Sequence, residues 1–215
     1  MCFETVVSKK NLLLLHQIVK PMGRNLEFDK EETVKKAMNV FWEKGYNATS
    51  MQDLVDAMQI NRSSLYNTIG DKQQLFHECV SSYIDQVMEE ARQKAANEKS
   101  PLQALIRIIS DKADWIIESD KGCLGVKTIF EVAQNDETVR NMLCQSNDVY
   151  LKFMTDLIQS AMDAGEIEHS EDAGMMAEYI MISFTGWKQS YILQGNPIKV
   201  KKMADFLIKS IMPKG

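Results

Sequence analysis

Proline is scarce in this chain, four residues in 215, and glycine little commoner at ten. So few breakers leave room for long helices, and no stretch alternates β-branched with polar residues as a half-buried strand would. The four cysteines, Cys2, Cys79, Cys123 and Cys144, are too widely spaced for a CxxC metal pair. A disulfide framework is not expected in a chain this long, which points to reduced thiols in the cytoplasm. His16, His77 and His169 lie far apart and make no ligand cluster, so no metal is expected. No apolar run approaches eighteen residues, so no membrane span is expected. Positive charge is not in surplus either: the formal net charge is −5. From Met22 to Lys72 seven Lys/Arg face eight Asp/Glu. A nucleophile–base motif and a phosphate-cradling glycine loop are both missing, so neither an enzyme nor a cofactor is expected.

What is present is an ordinary globular composition, 45% hydrophobic and 26% charged, in a length that allows one large or two small cores. The expected fold class is all-α. The stretch from Gly45 to Phe76 organises it. Ser50 and Asp53 form a capping box that opens a short helix, with Leu54, Val55 and Met58 on its buried face. Asn61 caps a second helix three residues later, Tyr66, Asn67 and Gly70 end it, and Asp71 with Gln74 starts a third. Two short helices joined so tightly describe a helix-turn-helix, whose second helix can enter a DNA major groove. That second helix carries Arg62, Ser63, Ser64, Tyr66 and Asn67, groups suited to base edges and phosphates, above Leu65 and Ile60 as core anchors. A helical hairpin with a solvated polar face is the plain alternative.

Here the chain resembles the DNA-binding domain of TetR-type transcriptional repressors. The matching residues are Gly23-Arg24, Phe28-Asp29, Phe41-Trp42, Gly45-Tyr46, Ala48-Thr49-Ser50, Leu54, Ile60-Asn61-Arg62, Leu65-Tyr66, Gly70-Asp71-Lys72 and Leu75-Phe76. Gln59 departs from the pattern, since family members often place glycine in that turn. The resemblance implies an N-terminal three-helix domain and a C-terminal helical bundle for ligand binding and dimerisation, about nine helices in all. It assigns DNA contact to Arg24, Thr49, Ser50, Asn61, Arg62, Ser63, Ser64, Tyr66, Asn67 and Lys72. Double-stranded operator DNA and a second copy of the chain are the implied partners, with the last two long helices pairing as a four-helix bundle.

Taken in order, residues 1–21 stand outside this pattern. Lys9, Lys10 and Leu12–Leu15 mimic a signal peptide, but His16 and Gln17 interrupt it and no cleavage site follows. They are read as an extension from an upstream start codon, which mass spectrometry of the natively expressed protein tests. Residues 22–70 are the expected DNA-binding domain and 71–215 the regulatory one. Arg24 fits a minor-groove arm or a tail of diffuse charge, and both readings stay open. The first helix runs from an Asp29–Glu32 box to Lys44, and a long one from Asp71 fades over Gln93–Lys99. Ser100-Pro101 opens the next, to about Ser119. Others follow at Cys123–Ala133, Glu137–Ala164, from Ser170 to about Gln194, and from Pro197 onward.

The resemblance further implies that a small molecule in the C-terminal domain moves the bridging helix. Trp115, Phe130, Met154, Met181, Phe184, Trp187 and Tyr191 are candidates to line its pocket, with ordinary core packing as the alternative. Cys123, in Lys121-Gly122-Cys123-Leu124-Gly125, stands at a helix start after a cation, where the reactive thiolate is favoured. The segment resembles the Gly-Cys-Leu element of a TetR subgroup that includes electrophile-sensing repressors such as the N-ethylmaleimide reductase repressor. Cys123 is therefore both a pocket residue and a candidate sensor, or else a small packing residue. An adaptor without DNA binding, and a constitutive or ligand-activated DNA binder, remain as other readings.

Overall fold

A computed structural model describes residues 29–119, 122–168 and 172–212, the Thr68 side chain excepted. The chain divides into the unit Met1–Lys30, of which only Asp29 and Lys30 are described, and the unit Glu31–Gly215. Nine α-helices and no strand occur among the described residues. They are α1 (Lys30–Lys44), α2 (Met51–Met58), α3 (Arg62–Thr68), α4 (Lys72–Ala96), α5 (Pro101–Glu118), α6 (Leu124–Glu131), α7 (Glu137–Asp163), α8 (Ala173–Gln194) and α9 (Pro197–Ile211).

The capping residues act as their chemistry dictates. The Ser50–Asp53 and Asp71–Gln74 boxes are both closed reciprocally, and Asn61 and Ser100 each accept the backbone N–H three residues on. Pro101 and Pro197 sit in first helical turns, where a missing N–H costs nothing. One start moves: Asp172 caps α8, whereas Ser170 lies outside the described residues. Gly70 is required, because its φ is +107° and a Cβ there would fall 1.5 Å from Gln74 Oε1, the oxygen that closes the α4 box.

Two apolar cores result. The first joins Val34, Ala37, Met38 and Phe41 of α1 to Leu54 and Met58 of α2, Leu65 of α3, and Leu75, Phe76, Cys79 and Val80 of α4. Phe41 and Phe76 meet edge-on at 5.0 Å, with Tyr46 4.7 Å from Phe76, a geometry favoured by the ring quadrupoles. This core runs on to Leu124, Val132, Ala133 and Val139. The second is built from α5, α7, α8 and α9 around Leu105, Ile109, Met154, Ile158, Ile180 and Leu207. In α6 the apolar pattern misleads: Leu124 and Thr128 are buried, but Ile129 and Phe130 are exposed. The helix is short and packs one narrow face, so only positions four apart turn inward.

Gln59 ends α2 with φ +57° and ψ +36°, the left-handed conformation. A Cβ makes that conformation cost about 1–2 kcal/mol, partly offset when glycine replaces it by the greater entropy of the unfolded chain. Gln59→Gly is expected to raise stability by about 0.5–1 kcal/mol, read as a higher denaturation midpoint at unchanged slope. A lower midpoint would show that the Gln59 side chain contributes more than its backbone strain costs.

Candidate nucleic-acid interface and effector cavity

On α3, Arg62, Ser63, Tyr66 and Asn67 are exposed and Ser64 is half-buried, while Leu65 points fully into the core. Leu65, with Ile69 also buried, fixes the rotation of the helix and so turns the polar face outward. Not all of the sequence-derived contacts are equally available. Asn61 Oδ1 accepts from Ser64 N at 2.7 Å and from Ser63 Oγ at 2.7 Å, so it is first a cap. Ser50 is committed to Asp53, which Lys44 Nζ also holds at 2.5 Å. The Lys44 bond and the Ser50 bonds hold the Asp53 carboxyl below its ordinary range. Thr49 needs correction: its side chain is 2% exposed and its hydroxyl donates to Gly45 O at 2.6 Å. It closes the loop between α1 and α2 from inside and presents no side chain for DNA. Arg24 lies outside the described residues.

Lys72, at the start of α4, lays its ammonium over the Tyr46 ring, 4.4 Å from the centroid. Tyr46 was not singled out as a site residue, although the Gly45-Tyr46 pair belongs to the resemblance. The long α4 begins four residues after the reading helix ends. It is tied down at the same end by Asp136, the cap of α7, which accepts from Gln73 Nε2 at 2.8 Å, His77 Nε2 at 3.0 Å and Val139 N at 3.0 Å. Burial alone would raise the Asp136 carboxyl; these three bonds outweigh it and lower it from 3.8 to about 2. A depressed carboxyl stabilises the fold above its unfolded pKa and loses that contribution as pH falls through the folded one. Asp136→Ala is thus expected to cost about 1–3 kcal/mol at neutral pH. Between about pH 4 and pH 2 the wild type should lose more stability than the variant, a difference that acid titration of the unfolding midpoint reads directly.

Above the head, α6 acts as a strut. At its start Cys123 is half-buried, with Sγ 3.3 Å from Tyr83 Oη of α4. Along it, Lys127 Nζ donates to Trp42 O at 2.7 Å, and at its end Glu131 accepts from Asn47 N at 2.7 Å. Trp42 Nε1 also donates to Gly122 O at 2.8 Å. Lys121 lies outside the described residues.

A cavity of about 240 Å³ opens beside α4, between it and α5. Tyr83, Gln86, Val87 and Glu90 line it from α4, Asp111, Lys112 and Trp115 from α5, Tyr150 from α7 and Trp42 from α1. Trp115 is the one sequence-derived pocket residue among these lining groups. Cys123 touches the wall through Tyr83. Met154, Phe184 and Trp187 belong to the second core, with Tyr191 packed against it, and none of them lines this cavity. Phe130 is corrected outright, at 73% exposed on α6. Lys112 was missed, although its spacing signals it: four residues after Ile108 and three before Trp115, it shares the face they line.

A second groove, about 320 Å³, lies between α8 and α9 and is bordered by Tyr179, Trp187, Met203 and Phe206. No helix among the described residues is long and apolar enough to cross a membrane.

Capped short helices around a buried Leu65, an outward polar face on α3 and a long helix leading to a separate bundle define a helix-turn-helix regulatory protein. Comparison with known proteins makes the family definite. Residues 34–79 match the model of bacterial regulatory proteins of the tetR family, and residues 101–207 match the tetracyclin repressor-like C-terminal domain. The uncharacterized HTH-type transcriptional regulator YezE of Bacillus subtilis is 31% identical over 163 residues, covering 74% of this chain and 84% of that protein. The HTH-type transcriptional repressor ComR of Escherichia coli is 26% identical over 190 residues, 87% and 86% of the respective lengths. A cysteine mutant of the TetR-family regulator CifR, solved with 26 bp double-strand operator DNA, superposes with a TM-score of 0.72 at 21% identity, covering 85% of this chain and 97% of that one. The chain belongs to the TetR family of transcriptional regulators.

Proposed function

We propose that this protein is a transcriptional repressor that binds operator DNA as a homodimer and is released when an effector occupies the cavity beside α4 or modifies Cys123. One observation carries the reading: α4 borders the cavity along Tyr83–Glu90 and begins, at Lys72, four residues after the reading helix ends at Thr68. An occupant that favours one position of α4 also favours one position of α3. To act cleanly it must prefer the released state by several kcal/mol. The double-strand operator in the CifR complex and the repressor function of ComR support the DNA half of this reading.

The dimer rests on an apolar stripe that the single chain leaves uncovered. Met175, Tyr179, Ile182 and Leu193 recur on one side of α8 and are 58–74% exposed, and Phe206 continues the patch on α9. Gly186 lies on the same side with nothing within 4 Å of its Cβ position, where a second helix can approach closely. A self-complementary patch of this kind fits two-fold symmetry, and two reading helices then meet two half-sites.

A gel shift on the DNA upstream of the gene, with and without N-ethylmaleimide, tests release, with Cys123→Ser alongside. Release of the wild type alone assigns sensing to Cys123. If both proteins stay bound, the cysteine route is excluded and the cavity alone is left to carry release. Failure to bind any genomic fragment selected from the whole genome would sink the repressor reading.

A further inference from the structure

We propose that the cavity between α4 and α5 binds a small aromatic carboxylate, its ring held against Trp115 and Tyr83 and its carboxylate on the Lys112 ammonium. This names the effector class and so rests on the effector-release reading for its consequence at DNA, though not for binding itself.

The cations around the cavity are nearly all satisfied. Lys94 pairs with Asp111 at 3.2 Å, Arg107 pairs with the same carboxylate at 2.9 Å, and Lys188 donates to Ile116 O and Ser119 O at 3.2 and 2.6 Å. Lys112 differs. Among the described residues no hydrogen-bond acceptor engages it, and its Nζ rests over the Trp115 ring, 4.2 Å from the centroid. A half-buried ammonium facing a cavity without an acceptor is costly, and a carboxylate entering the cavity supplies the missing one. Burial pushes the Lys112 amine below its ordinary pKa; Lys94 and Lys188 push the same way, against Cys123 and Glu90. A bound anion reverses that balance. The acids nearby do not forbid it, because Asp111 already carries two cations and Glu90 is exposed at the rim.

The walls select a ring. Trp42 and Tyr83 meet edge-on at 5.3 Å, and Trp115 offers a face beside Lys112. Tyr150, whose hydroxyl burial pushes up to about 12, adds a further ring to the lining. At about 240 Å³ the space falls below the roughly 300–1,000 Å³ of pockets for drug-sized ligands, so a single ring fits best.

Calorimetric titration of the full chain with benzoate, salicylate and phenylacetate, each beside its amide, is the test. At least one acid should bind roughly ten- to a hundredfold more tightly than its amide, the contrast that a charge-assisted hydrogen bond supplies. Lys112→Met should erase that contrast and leave the amide unchanged, while Lys112→Arg should keep part of it. None of the three acids binding, acids binding no better than amides, or Lys112→Met binding acids like wild type would each overturn the proposal. The acid-against-amide contrast is read on wild type, so it stands even if a variant fails to fold. Adding the same acids to the operator gel shift separates the two readings. Acid binding that leaves the DNA complex intact keeps the site and sinks release by cavity occupancy; release by N-ethylmaleimide without acid binding overturns the site and keeps release through Cys123.

Discussion

Arg62→Ala combined with Tyr66→Phe is expected to lower operator affinity by at least two orders of magnitude while leaving the melting temperature nearly unchanged. Both side chains lie on the outer face of α3, with Tyr66 49% exposed, so neither contributes much to the core. A good arginine–base contact carries about 1–3 kcal/mol of discrimination, Tyr66→Phe deletes one hydroxyl available to phosphate, and in a two-fold dimer each loss would count twice. The net charge of −5 leaves little non-specific attraction to compensate. Fluorescence anisotropy against salt then separates the modes of contact. If Arg62 reads a base, its loss relaxes sequence preference; if it holds phosphate, binding weakens on all sequences and the salt slope falls by about 1 per lost contact. Unchanged affinity would favour the adaptor reading over the repressor.

The second large effect is expected from Phe206→Asp. Phe206 is 70% exposed at the groove between α8 and α9, so the substitution leaves the bundle core in place while setting a charge into each half of the proposed subunit contact. Light scattering should find a particle of 24.5 kDa for the variant and twice that mass for the wild type if the proposed dimer forms. Operator affinity should fall by roughly 10²–10⁴, because two linked heads gain that much over one through effective concentration. A variant that remains dimeric would place the subunit contact on another face. Melting of the monomer should remain cooperative, since Val200, Ala204 and Leu207 still fill the inner side of α9.

The head was readable because its signals are local. Ser50, Asn61 and Asp71 each act on a backbone N–H three residues away, and no distant packing overrides them. Leu65 as anchor followed from its being apolar among the hydrogen-bonding groups Arg62, Ser63, Ser64, Tyr66 and Asn67. Thr49 was misassigned because a hydroxyl looks alike in sequence whether it faces DNA or closes its own loop; the bond to Gly45 decides. The cavity was harder. Trp115 stood out as an aromatic, but Lys112, Tyr83 and Tyr150 come from three helices whose lateral packing no periodicity encodes. Met154 and Phe130 show both failures of a hydrophobic reading, one sunk wholly into the core and the other turned to water. The Cys123–Tyr83 contact joins positions forty residues apart, beyond the reach of any local motif.

The first core draws Leu124, Val132, Ala133 and Val139 from beyond α5, and Glu131 clasps the Gly45–Asn47 loop. At Gly45, φ +84°, a Cβ would sit 2.7 Å from a Glu131 carboxylate oxygen. The reading head is therefore not an interchangeable cassette. A chimera that grafts residues up to the end of α4 onto another bundle inherits a foreign α6 and loses part of its own interior. Recombination between relatives should succeed only when the head travels with α6 and the first turn of α7, and Gly45 and Glu131 should change hands together.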